Sequence, residues 1–338
     1  MDFVTGGTGI LGSQLIYDLV STGSKVRALK RKGSNLSPIK KIFSRNKQSE
    51  LFEKIEWVEG DVNNIGCLIE HFSSIDRVFH CAAIVSFNPR DKTKMETTNI
   101  SGTANVVDAG IIQNVNELIY VSSTAAIGTQ KKAKTITEKD NWDAGIPNSF
   151  YSLTKYFAEL EVWRGAEEGL KVSIVNPGII IGPGEWGKSS TNVFKTAWKG
   201  LKFYSSGTNA FVDVRDVSRA MLLLSEKKIF NERFLLIAEN KSFKFFFDTI
   251  AKSLNKKAPS ILATKLMSSC AWRLNWIWSK LTGANPLITK ETARAANSIS
   301  VYSNQKIIDK LGFKFTPIEE SIKYTGGLFL KDVTRHSN

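Results

Sequence analysis

Thr5-Gly6-Gly7-Thr8-Gly9-Ile10-Leu11-Gly12 follows the short apolar run Phe3 to Thr5. It leads into a stretch whose apolar positions, Ile10, Leu11, Leu15, Ile16, Leu19 and Val20, recur at helical spacing. A strand, a glycine turn and an amphipathic helix in that order open a βαβ unit. The glycines read equally as Gly6, Gly9 and Gly12 or as Gly7, Gly9 and Gly12. In either register the backbone approaches a pyrophosphate closely, and the anion meets the unpaired N–H groups of a helix start. Thr5, Gly6, Gly9, Ile10, Leu11 and Gly12 are therefore expected to line a dinucleotide.

Outward from the turn, short apolar runs recur at Val26 to Leu29, Ile55 to Val58, Arg77 to His80, Leu118 to Val121 and Val172 to Val175. The amphipathic stretches between them predict an α/β fold, a Rossmann-type doubly wound parallel sheet with helices on both faces. Only four residues precede Thr5, so the first strand reads as a clipped edge of the sheet. After Asn176-Pro177-Gly178 the alternation stops, and GIIIGPGEWGKSS (178–190) reads as a cleft-lining loop. FVDVRDV (211–217) and a helix from Val217 then rejoin the sheet. The expected division is a dinucleotide-binding domain over 1–176, rejoined at about 211–226, and a smaller, sequence-discontinuous C-terminal substrate lobe over 177–210 and 227–338.

The 338 residues, 42% hydrophobic, suffice for a buried core. No charged-then-apolar leader and no long apolar run stand out, so a cytoplasmic location is expected. Cys67, Cys81 and Cys270 are few and scattered, which suits neither a disulfide framework nor a metal site. The net charge of +14 has three sources to weigh: nucleic acid, anionic lipid or a phosphorylated ligand. Nine basic residues and no acidic one lie between Lys25 and Ser49, mostly a solvated surface. Between Ile261 and Leu281, the residues Leu262, Leu266, Leu274, Trp278 and Leu281 recur at roughly helical spacing. The expected role is a helix packing the small lobe; peripheral membrane contact is the alternative, since three tryptophans sit among Lys265, Arg273 and Lys280.

The second strand should end beside an adenosine ribose, where an acidic residue would select NAD. Lys30 and Arg31 stand there instead, followed by Lys32. Cationic donors suit a 2′-phosphate, Arg31 above all because its fork binds phosphate bidentately, so NADP(H) is the expected cofactor and NAD(H) the alternative.

Tyr151 and Lys155 lie one helical turn apart in SFYSLTKYFAELEVW, and the apolar stripe Phe150, Leu153, Phe157 and Leu160 leaves them on an adjacent face. A free phenol, with a pKa of about 10, is a poor base near neutrality, and a nearby cation should lower it. This spacing alone is common on helix surfaces. Upstream, Tyr120-Val121-Ser122-Ser123-Thr124 leaves a strand at the carboxyl edge of the sheet, where Ser123 could orient a substrate carbonyl.

Taken together, TGGTGILG, GDV (60–62), HCAA (80–83), NISGTANV (99–106), VSSTAAIG, YSLTK, NPG and FVDVRDV resemble the extended short-chain dehydrogenase/reductase superfamily, the NAD-dependent epimerase/dehydratase family, over nearly the whole chain. The character is nearest to its dihydroflavonol reductase and 3β-hydroxysteroid dehydrogenase-like branch. The resemblance implies Tyr151 as general acid/base, Lys155 as its electrostatic partner and nicotinamide-ribose ligand, and Ser123 as the carbonyl-orienting hydroxyl. It further implies Asp61 and Val62 near adenine, Ala82 and Ala83 along the cofactor, and Asn176, Pro177 and Gly178 near the nicotinamide. Asn99 and His80 read as structural rather than catalytic. Members of this superfamily often form homodimers.

Where sugar-nucleotide epimerases and dehydratases of the superfamily commonly carry an Arg-Asp pair, this chain has Gly207-Thr208-Asn209-Ala210. Trp186, Ser189, Phe194, Trp198 and Phe203 are expected to line a cleft for an apolar carbonyl compound. The leading expectation is thus an NADP(H)-dependent oxidoreductase interconverting a ketone or aldehyde and an alcohol on a small substrate. A sugar-nucleotide epimerase or dehydratase with retained NAD is the alternative, and a non-catalytic dinucleotide-sensing or nucleic-acid-binding protein a further one. No nucleic-acid partner and no metal are expected.

Overall fold

Seven parallel strands form the main sheet in the order Glu232–Leu236, Lys171–Pro177, Glu117–Val121, Arg77–His80, Asp2–Thr5, Val26–Lys30 and Glu56–Glu59. They come from a computed structural model, which describes every residue except 129, 131–134, 283, 285, 287 and 335–338, and at Ser189 the backbone alone. Strands covered on both faces need apolar side chains on both, and Phe3, Val4, Val78, Phe79, Leu118 and Ile119 are all buried. Val4 joins a core with the helices Ile10–Ser21 and Val214–Glu226 on one face. Phe3 joins another on the opposite face, with Ile65–His71, Gly102–Ile112 and Phe150–Glu167.

Asp2–Thr5 is not a clipped edge. It pairs with Val26–Lys30 on one side and Arg77–His80 on the other, and its four residues are buried. Shortness misled because parallel pairing saturates the backbone from both sides, whatever the strand length.

A second sheet of three strands, Glu239–Ser242, Thr208–Asp213 and Ile179–Ile181, lies after the glycine-proline break. Part of the expected loop is therefore a strand, and Phe211 to Asp213 pair with Ile179 to Ile181 rather than with the main sheet. The helix Val214–Glu226 returns to the main body, where Val217, Met221 and Leu224 pack in its core. Glu232–Leu236, assigned on sequence to the substrate lobe, instead forms the outer strand of the main sheet beside Lys171–Pro177.

The expected cleft aromatics are mostly core. Trp186 packs edge-on against Phe329 and donates from Nε1 to Asp332 at 2.8 Å, while Phe194 is buried and Trp198 abuts Phe329. Large apolar side chains bury where a small lobe lacks other volume to fill, and here that demand wins over the cleft. Phe203 alone is exposed, and the Ser189 side chain lies outside the described residues.

Candidate active site

Parallel strands deliver their carboxyl ends to one edge, so the residues that follow them converge there. Gly6 follows the Asp2–Thr5 strand, Arg31 follows Val26–Lys30, Asp61 lies just beyond Glu56–Glu59, Ala82 just beyond Arg77–His80, and Ser123 just beyond Glu117–Val121. Asn176 and Pro177 end Lys171–Pro177.

The glycine turn selects the Gly6, Gly9 and Gly12 register. Gly6 has φ +67°, and a Cβ there would stand 2.7 Å from the Ala82 nitrogen. A Cβ on Gly12 would strike the Gly6 carbonyl oxygen and stand 2.9 Å from the Gly7 Cα. Gly9 donates from its N–H to the Gly6 carbonyl and caps the helix Ile10–Ser21 without a side chain, and no acidic residue stands in the first turn. That start keeps backbone donors and the positive end of the helix for an anion. Ile10 lies against the 182–184 loop, whereas the Leu11 side chain is core, leaving its backbone to the turn. Buried Thr5 accepts from the Cys81 and Ala82 N–H groups at 3.2 Å each, which locks the turn to the neighbouring strand.

At the far end, Lys30 pairs with Glu59 at 3.5 Å. Arg31 is exposed in a turn closed by the Ser34 N–H on its carbonyl, and its guanidinium has no hydrogen-bond partner among the described residues. Asp61 accepts from the Asn63 N–H and Val62 is buried. Ala82 is half-buried, Ala83 is exposed, and Gly178 sits where a Cβ would press on the Ala210 carbonyl at 2.5 Å.

The helix Phe150–Glu167 starts at Ser149, whose side chain accepts from the Ser152 N–H. It does not bury the expected stripe. Phe157 and Leu160 are each 43% exposed, while Thr154, Lys155, Ala158, Glu159 and Val162 face the body. Periodicity assigned the wrong face because the buried one carries a lysine and a glutamate, which only a fully bonded network makes affordable.

That network is explicit. Lys155 Nζ donates to Tyr120 Oη at 2.6 Å and to the Val121 carbonyl at 2.8 Å. Ser122 and Asn176 donate to Glu159 Oε2, and Arg233 donates to Oε1 at 3.0 Å. Asn176 also donates to the Ser123 carbonyl, while its Oδ1 is buried with no partner among the described residues. Burial lowers the Lys155 ammonium to about 7, with Glu159 opposing.

The Ser123 hydroxyl comes close enough to the Tyr151 hydroxyl to influence its proton. The expected lowering of Tyr151 by Lys155 is absent, since no hydrogen bond joins them among the described residues. Burial raises the Tyr151 pKa, and the nearby Ser123 hydroxyl only opposes that rise. Lys155 instead directs two of its three donors to Tyr120 and Val121. Tyr120 itself is pushed well above the usual phenol range by burial, then by Glu159 and Tyr151. Its role was missed on sequence, although a tyrosine inside a buried strand requires a partner for its hydroxyl. Phe87 was missed too; its ring lies 6.1 Å from that of Tyr151.

His80 is fully buried between Thr5 and Thr103, at 2.7 and 3.0 Å, and burial lowers it to about 3. Asn99 bridges Ile84 and Thr154. Both therefore serve as internal struts. Among the described residues no cluster of His, Cys, Asp and Glu could hold a metal ion.

A doubly wound sheet with a glycine turn at its switch point defines a dinucleotide-dependent enzyme. The chain belongs to the NAD dependent epimerase/dehydratase family, whose model matches residues 3–236. Anthocyanidin reductase of Arabidopsis thaliana is 30% identical over 263 residues, 71% of this chain and 76% of that protein. Cinnamoyl-CoA reductase 1 of Petunia hybrida is 26% identical over 334 residues, 95% of this chain and 90% of that protein. Among solved structures, the UDP-glucose 4-epimerase of Thermotoga maritima with UDP-glucose shares the fold with a TM-score of 0.77 at 21% identity, over 98% of this chain and 100% of that one. With these relatives, the chain is an NAD(P)-dependent oxidoreductase of the extended short-chain dehydrogenase/reductase type.

Proposed function

We propose that the protein is an NADP(H)-dependent reductase that interconverts a ketone or aldehyde and an alcohol on a small substrate. The observation that carries this reading is the Ser123–Tyr151 hydroxyl pair at the carboxyl edge of the sheet. Two relatives named as reductases support it, as does the capture of Arg215 by Asp213 at 2.6 Å beside the strand Thr208–Asp213. That pairing occupies the arginine nearest in sequence to the position where a nucleotide-sugar site would need one.

The residues fit a dinucleotide. Gly6, Gly9 and Gly12 with the backbone of Ile10 and Leu11 would hold its pyrophosphate, Asp61 and Val62 its adenine, and Lys30 and Arg31 its 2′-phosphate. Ala82, Ala83, Asn176, Pro177 and Gly178 would line the remainder, and the unpartnered Asn176 Oδ1 is an acceptor still to be satisfied. When bound, the cofactor supplies a hydride to the carbonyl carbon or takes one from the alcohol. Ser123 orients the carbonyl oxygen, and Tyr151 gives it the proton from Oη. A pKa raised by burial keeps that phenol protonated at neutral pH, the form reduction needs. Burial lowers the Lys155 ammonium to about 7, and its bonds to the Tyr120 hydroxyl and the Val121 carbonyl fix it beneath the site.

Initial-rate measurements with a panel of aromatic and alicyclic ketones test this. NADPH is expected to exceed NADH in kcat/KM by about tenfold or more, the worth of one charge-assisted bond. Tyr151→Phe should lower kcat by about 100-fold or more while NADPH binding, followed by its fluorescence, stays near wild type. Equal use of both cofactors removes the NADP(H) assignment. Undiminished turnover of the variant removes Tyr151 as acid, and tightly retained NAD(H) without net NADPH consumption replaces the reductase by an epimerase.

A further inference from the structure

The helix Lys265–Thr282 is built inside out. At about 100° per residue, Leu266, Met267, Leu274, Ile277, Trp278 and Leu281 share an arc of about 120°. In a helix packing the small lobe that arc would face the protein. Here it faces away: Leu266, Leu274, Trp278 and Leu281 are between 63% and 79% exposed. The sides turned inward carry Ser268, Ala271, Asn275 and Ser279, and Ser279 is the one buried residue of the helix. The expectation of a lobe-packing helix is therefore corrected. Exposed Ile261 and Leu262 precede the helix and pair with the strand Phe203–Tyr204.

The stretch of sequence that carries this helix has charge of one sign. Between Asp248 and Glu291 there is no acidic residue, while Lys252, Lys256, Lys257, Lys265, Arg273, Lys280 and Lys290 give the segment seven positive charges. Arg273 and Lys280 lie beside the apolar arc, each stacked 4.6 Å over a tryptophan, Trp272 and Trp276. Apolar residues flanked by cations and tryptophans suit the boundary between acyl chains and anionic headgroups. A second copy of the chain would set Lys265, Arg273 and Lys280 against the same cations, which disfavours self-association through this face. No helix among the described residues is long and apolar enough to cross a membrane.

We infer that Lys265–Thr282 is a docking surface for an anionic membrane, on which the helix lies with Leu266, Leu274, Trp278 and Leu281 in the acyl boundary. The Ser279 carbonyl accepts from Arg90 at 3.4 Å, and Phe87, three residues before Arg90, lies against Tyr151. The docked face is thus one loop from the proposed active site.

Flotation of the full chain with vesicles tests the inference. Vesicles of phosphatidylcholine with phosphatidylglycerol should carry the protein at low salt, and phosphatidylcholine alone should carry at least about tenfold less. Leu274→Glu with Trp278→Glu should abolish flotation, and both replaced side chains stand in solvent, so the fold is kept. Lys265→Gln, Arg273→Gln and Lys280→Gln together should reduce flotation about tenfold or more and flatten its salt dependence. Should the double glutamate variant fail a thermal-melting check, the glutamine variant carries the test. Absence of flotation at low salt overturns the inference, as does flotation that neither variant weakens. Dimerisation in sedimentation velocity that the double variant abolishes, without vesicle binding, overturns it in favour of a second copy.

Discussion

His80 shows how burial fixes the protonation of a side chain. Between Thr5 and Thr103 its ring has a hydroxyl at each nitrogen and is fully buried, which lowers it to about 3. The unfolded chain protonates it near its ordinary value of about 6.5. Between those values the unfolded state binds more protons, so the contribution of His80 to stability is lost as pH falls. Urea unfolding at pH 7 and pH 5 should show a loss of about 2 kcal/mol in the wild type that a His80→Gln variant lacks. A loss of the same size in both proteins contradicts a neutral, buried His80. Sequence reading singled out Ser123, Tyr151 and Lys155 as candidates because they stand in recognisable local patterns. It missed Tyr120 and Glu159, which act only through a fold that brings them to Lys155, Ser122, Asn176 and Arg233.

Among elements, the turn between Asp2–Thr5 and Ile10–Ser21 has the least room. A methyl group on Gly12 would meet the Gly6 carbonyl, backbone against backbone, which no rotamer relieves. Gly12→Ala should therefore weaken NADPH binding about tenfold or more in fluorescence titration, with a smaller loss of thermal stability, because the helix moves off the strand. Unchanged affinity would show that this turn does not hold the cofactor. The turn and the apolar strands were legible because two neighbours in sequence already state the local geometry. The buried face of Phe150–Glu167 was not, since Lys155 and Glu159 are apolar in no scale and find their compensation in distant strands. The outward face of Lys265–Thr282 was legible as a stripe but not as a direction. Periodicity gives the arc, and the rest of the molecule decides which way it turns.

Across the whole molecule, the strand Glu232–Leu236 joins what sequence divided. It completes the main sheet and carries Arg233 to Glu159, which is buried with only 4% of its side chain exposed. Arg233 also donates to the Glu138 and Asp140 carbonyls, so it braces the segment before the Tyr151 helix. Arg233→Met should lower the free energy of unfolding by about 3 kcal/mol in urea, since it leaves a buried carboxylate without its cation. A loss below about 1 kcal/mol would mean that Ser122 and Asn176 suffice. The same pairing bears on modularity. Residues 1–226 contain the glycine turn, Ser123, Tyr151 and Lys155, yet a fragment cut there would keep the carboxylate and lose its counterion along with an outer strand. The nucleotide-binding half is thus not a portable cassette, and any chimera that borrows it must carry the chain through Leu236.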